Sequence, residues 1–202
     1  MTGTAIDLRA SRPVVLFVGI GLLLMALFTM SWALWSLVGL PSAIGVGAVA
    51  AFGALATLYV IRGIGLVRSS AASPAPPPNE HADRGRALQL GYGITFGTEG
   101  LVIGAASGLL IAHGAAPYLQ PAIALIVGLH FVPFGFLFQR RIDFFIAGWV
   151  VTCAALGIWS ITLQVIPAAL AGALVSLATA CGTATYGIYL LHLRKLMAAE
   201  AP

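Results

Sequence analysis

Apolar stretches of membrane-spanning length dominate this chain. Val14–Leu40, Ala43–Val67, Leu88–His113, Tyr118–Phe138 and Val165–Leu191 are the long ones. Phe144–Ser160 is a shorter, uncharged sixth of 17 residues, which reaches a fuller length if it begins at Ile142. A helix needs ~20 predominantly apolar residues to cross ~30 Å of hydrocarbon. The expectation is therefore all-α: one polytopic membrane domain over residues 1–202, a six-transmembrane-helix bundle with spans near 14–40, 43–67, 88–113, 118–138, 142–160 and 165–191. The first stretch is too long for a signal-peptide core and lacks a small-residue cleavage site, so it is expected to be retained.

Charge supplies the orientation. Threaded up and down from a cytoplasmic N-terminus, all ten Lys and Arg fall on one side. Arg9 and Arg12 precede the first span, and Arg62 and Arg68 end the second. Arg84 and Arg86 precede the third, Arg140 and Arg141 separate the fourth from the fifth, and Arg194 and Lys195 follow the sixth. The other connections, around Pro41, Gly114–Pro117 and Ile161–Val165, carry no Lys, Arg, Asp or Glu. This is the positive-inside pattern, with both termini cytoplasmic. Only 8% of the chain is charged, against ~25% in soluble domains. The net charge of +4 is dispersed as pairs at helix ends, which suits anionic headgroups and not a nucleic-acid patch.

Residues 68–86 hold Ser69-Ser70-Ala71-Ala72-Ser73-Pro74-Ala75-Pro76-Pro77-Pro78 and read as a cytoplasmic linker of polyproline character. Cys153 and Cys181 lie inside the fifth and sixth spans at similar depth, as small buried packing residues. Trp35 and Trp159 fall where an outer aromatic belt belongs.

The third span carries the most information. Gly93, Gly97, Gly100, Gly104 and Gly108 fall within a sector of ~80° at ~100° per residue. Such a face predicts close packing against another backbone. On nearly the opposite side lie Tyr92, Thr95 and Glu99. A carboxylate in mid-span costs at least ~2.5–3.5 kcal/mol, which makes Glu99 a candidate proton-exchanging residue; the alternative is a protonated Glu serving as interhelix glue. His130, in Gly128-Leu129-His130-Phe131-Val132-Pro133-Phe134, lies within a few ångströms of the same depth at ~1.5 Å per residue. Glu99 and His130 are therefore expected to form a proton-sharing pair, with a satisfied core histidine as the competing reading of His130. Pro133 removes a backbone donor and is expected to kink the fourth helix. Ser176, Thr179, Thr183 and Tyr186 form a hydroxyl stripe on the sixth span, useful either for binding or for interhelix hydrogen bonds. Tyr92, Thr95, Thr179, Thr183 and Tyr186 are thus the candidate binding residues. Arg62 is expected to snorkel, or else to turn inward towards Glu99.

The Gly128–Phe134 segment, with Phe138 and the Arg140-Arg141 pair after it, resembles a G-[L/A]-H-[F/Y]-x-P pattern in uncharacterised bacterial multi-span membrane proteins. The resemblance covers one span and implies a bacterial inner membrane. Three functions fit the residues: a small transporter or channel-like protein with a protonatable intramembrane site, an acid/base enzyme (isomerase or cyclase) for a lipophilic substrate, and a non-catalytic assembly subunit. Partners would be membrane lipids, a small solute or lipophilic substrate, and a second copy of the chain. No cofactor or metal site is expected: the four histidines do not pair at matched depths for haem, and CxxC, P-loop, GxGxxG, G-x-S-x-G and HExxH patterns are missing.

Overall fold

The computed structural model describes residues 12–72 and 82–199, and every long element among them is a helix. These are α1 (Arg12–Trp35), α2 (Ser42–Ser69), α3 (Ala82–Ala112), α4 (Leu119–Phe138), α5 (Arg141–Thr162) and α6 (Ala168–Ala199), with short 3₁₀ turns after α1 and α2 and before α4. Six are long and apolar enough to cross a membrane. The chain is a polytopic membrane protein of the all-α class.

The boundaries differ from the apolar stretches in instructive ways. α3 begins inside the segment read as linker, so Ala82–Arg86 is helical, as are Arg68 and Ser69 at the end of α2. The proline-rich residues 74–78 lie outside the described residues. α5 begins at Arg141, so the fifth span is longer than its uncharged part and contains Asp143. α6 starts after Pro167 and runs on through Arg194. Hydropathy stops at the first charge, whereas backbone hydrogen bonding continues through it.

α6 is the central helix, packed on α1, α2, α4 and α5, and over half of its most apolar window is buried. Glycines allow several of these close approaches. A Cβ at Gly63 of α2 would lie 2.9 Å from the Gly19 carbonyl oxygen of α1. One at Gly128 of α4 would meet Val151 of α5 at 2.8 Å, and one at Gly187 of α6 would collide with the Tyr59 ring of α2. Tyr59 is fully buried, and its hydroxyl donates to the Ala184 carbonyl at 2.6 Å.

The glycine face of α3 behaves differently. Cβ atoms built at Gly93, Gly97, Gly100, Gly104 and Gly108 would meet nothing within 4 Å. Among the described residues the α3 backbone lies close only to α4 and the turn before it, meeting α1 through the Tyr92 and Phe96 rings, and none of its most apolar window is buried. The expectation that this face packs against another helix of the bundle is therefore corrected. Sequence shows that a helix face is smooth, but not which way it turns. Here the bulky face, Tyr92, Phe96 and Glu99, turns inward and the smooth one outward.

Interhelix contacts sort the two ends of the bundle. At one end Phe17, Leu66, Tyr92, Phe138 and Arg140 gather, with Arg12, Arg68, Arg141 and Arg194 belonging to the same end. At the other, Gln120 Nε2 donates to the Trp35 carbonyl at 3.2 Å and the Tyr118 hydroxyl lies 3.3 Å from Thr162 Oγ1. The connections at this second end carry no Lys, Arg, Asp or Glu.

Candidate functional site

Four helices line an aromatic-walled, partly open cavity of about 60 Å³. α1 contributes Phe17, Gly21, Leu24, Met25, Phe28 and Trp32, repeating at helical spacing along one face. α3 contributes Tyr92, Phe96 and Glu99 at i, i+4 and i+7, and α6 contributes Thr183, Tyr186 and Leu190. α4 supplies Val127, His130, Phe131, Phe134 and Phe138. Pro133 lies within α4, one residue from Phe134. The Tyr92 and Phe134 rings stack at 5.2 Å with 8° between planes, and His130 stands edge-on to Phe134 at 5.1 Å. Phe96, at 5.7 Å, and Phe131, at 4.4 Å, also pack against the imidazole.

Glu99 and His130 meet inside this cavity. His130 Nδ1 lies 3.1 Å from Glu99 Oε1, and each side chain is only 9% exposed. Depth matching by helical rise brings the pair together because α3 and α4 are adjacent. The contact is close without being a well-aligned hydrogen bond, since Nδ1 has no hydrogen-bond partner of good geometry. The contact joins α3 to α4 and sets the two groups at a distance over which a proton can pass.

A second polar group lies towards the basic end. Gln139 adopts a left-handed conformation (φ 52°) that stops α4, and Arg140 is extended ahead of α5. This two-residue connection carries Asp143, in the first turn of α5, back into the protein, where it is 0% exposed. No well-aligned hydrogen bond reaches Oδ1, Oδ2 or Arg140 Nη1. The Tyr186 hydroxyl and the backbone N–H of Asp143 itself lie within looser hydrogen-bonding reach of the carboxylate, and Tyr186 within the same reach of Arg140. Asp143 also interacts electrostatically with Arg140 and His130. The Arg140 guanidinium packs 4.9 Å from the Phe138 ring centre and 5.9 Å from that of Phe17, a cation–π arrangement.

The remaining expected site residues divide. Tyr92, Thr183 and Tyr186 line the cavity. Thr183 Oγ1 accepts from Thr29 Oγ1 at 3.0 Å, joining α6 to α1. Thr95 does not line it: its hydroxyl donates to the Gly91 carbonyl of its own helix at 2.8 Å. Thr179 is likewise spent within α6, donating to the Val175 carbonyl at 2.8 Å, and Ser176 bonds Gly172 in the same way. Helical hydroxyls can always reach the carbonyl four residues back, so a stripe on a helical wheel overcounts binding groups. Arg62 is exposed on α2, which does not border the cavity, so it is no partner of Glu99. Cys181 is exposed and Cys153 partly so, not buried as expected, and both are free thiols within electrostatic reach of one another.

Sequence reasoning missed Asp143, Arg140 and Thr29. Asp143 had a usable signal: it stands three residues after Arg140 and opens an apolar run, a position where a helix start can bury it. Thr29, deep in an apolar run, had none. Among the described residues no three His, Cys, Asp or Glu side chains gather as a metal site. No family model, curated protein or solved structure matches the chain.

Proposed function

We propose that this chain is a small transporter of the bacterial inner membrane, both termini cytoplasmic, in which protonation of the Glu99–His130 pair is linked to passage of a small solute or ion. One observation carries the reading. The buried side-chain nitrogen and oxygen atoms without a well-aligned hydrogen bond among the described residues are His130 Nδ1, Arg140 Nη1 and both carboxylate oxygens of Asp143. They cluster in and beside a single cavity. Ionisable groups inside a membrane without aligned hydrogen bonds are expensive and mark pathways and relays.

Size restricts the cargo. A water occupies at least roughly 10–15 Å³ by the same measure, so about 60 Å³ admits a few waters or a solute of a few heavy atoms. The aromatic walls suit a cation, attracted by ring faces and by the Glu99 carboxylate. The bacterial setting is supported by the Gly128–Phe134 resemblance, and the orientation by the concentration of arginines at one end.

Purified protein in liposomes enclosing a pH-sensitive dye provides the test. An imposed pH step should dissipate faster than in empty liposomes, and Glu99→Gln should abolish the difference while elution and helicity stay unchanged. Equal dissipation with and without the wild-type protein would remove the transport reading.

A further inference from the structure

Asp143 is a carboxylate with no exposure and no well-aligned hydrogen bond. It lies within looser hydrogen-bonding reach of Tyr186, which lines the cavity that holds the Glu99–His130 pair. We infer that Asp143, with Tyr186 and Arg140, is a second proton-exchange site, linking the cavity to the aqueous phase at the arginine-rich end. This inference rests on the transport reading above and adds to it the route by which protons enter and leave.

Every group facing Asp143 fits that role. From α6, the Tyr186 hydroxyl lies at the boundary between carboxylate and cavity, interacting with both Asp143 and Arg140. From α4, His130 reaches it electrostatically across the cavity. Arg140, at the turn, contributes a fixed positive charge held by two aromatic rings. Arg141, two residues before Asp143, is exposed, so the headgroup boundary lies within a helical turn of the buried carboxylate.

Transfer is conservative. The His130 imidazolium releases one proton and returns to neutral imidazole. The Tyr186 hydroxyl receives a proton and in the same hop passes its own to Asp143, ending neutral. The Asp143 carboxyl then gives that proton to water at the basic end and becomes a carboxylate again. Water, for which the cavity has room, bridges any gap longer than a hydrogen bond. Arg140 disfavours a second proton at the site, so one occupies it at a time.

The test compares wild type, Glu99→Gln, Asp143→Asn and Tyr186→Phe in the dye-loaded liposomes, alongside infrared spectra in H₂O and D₂O. Loss of a positioned proton carrier lowers transfer by about 100-fold, and Asp143→Asn should show that loss. Tyr186→Phe, which keeps the ring and so the packing, should slow flux without disturbing the fold. A carboxyl band absent from Asp143→Asn should shift on deuteration in the wild type. If Asp143→Asn or Tyr186→Phe transports like wild type while Glu99→Gln is inactive, the second site is wrong and the cavity reading stands. Wild type matching empty liposomes overturns both. An Asp143 band that ignores D₂O overturns the second site even where the substitution harms folding.

Discussion

Replacing Gly128 with Ala tests how α4 is seated, and with it the position of His130 two residues on. The added Cβ would lie 2.8 Å from Val151 Cγ2 and 3.0 Å from the Val151 backbone nitrogen, with Val150 Cγ1 at 3.2 Å. Comfortable contacts are ~3.5–4.0 Å, so the backbone nitrogen alone requires α4 and α5 to separate by roughly 0.5 Å. The valine methyl can rotate, but the backbone nitrogen moves only with its helix. Overpacking of this kind costs about 1–3 kcal/mol. By the scaling for chains of this length, 2 kcal/mol lowers the melting temperature by about 4–8 °C. Gly104→Ala is the control, since its Cβ meets nothing within 4 Å and alanine has a helix propensity up to ~1 kcal/mol better than glycine. Thermal melts of the detergent-solubilised protein should show Gly128→Ala well below wild type and Gly104→Ala level or above. Equal destabilisation by the two would mean that the α3 glycine face is covered and the assigned packing of α3 is wrong.

Other outcomes follow from the same geometry. Tyr59→Phe removes the 2.6 Å bond to the Ala184 carbonyl and should lower stability by roughly 0.6–1.7 kcal/mol, the range for interhelix hydrogen bonds in bilayers; a melting temperature equal to wild type would count against that bond. Thr29→Val breaks the buried Thr29–Thr183 contact and should behave similarly, whereas Thr95→Val, which loses a bond within one helix, should be neutral in both stability and flux. Cysteine reporters at Gly114 or Gln164 should react with impermeant thiol reagents in intact cells, and one after Lys195 should not; the reverse pattern would invert the proposed orientation.

The helical architecture was readable because membrane spanning imposes a length and a charge rule that a linear sequence displays directly. The Glu99–His130 encounter was readable for a related reason: depth along a straight helix is a count of residues. Direction around the helix was not. The glycine stripe of α3 identified its smooth side, but whether that side faces a neighbour depends on the competing demand of Tyr92, Phe96 and Glu99 to leave lipid. Asp143 was hidden by a connection of two residues, since a sharp reversal at Gln139 converts what looks like a charged loop into a buried helix start. The hydroxyl stripe misled at Thr95 and Thr179 because its members bond their own helices, an outcome the helical wheel cannot distinguish from an open binding face.

The central claim is that Glu99 and His130 act as one proton-exchanging site, and a double-mutant comparison of proton flux addresses it most directly. Glu99→Gln, His130→Gln and the double variant would be reconstituted at matched density and compared with wild type after the same pH step. Groups that work as a unit are strongly non-additive. Each single substitution should therefore reduce flux by about 100-fold, and the double variant should be no slower than either. A double variant whose loss is the product of the two single losses, or a single variant that retains wild-type flux, would contradict the shared site.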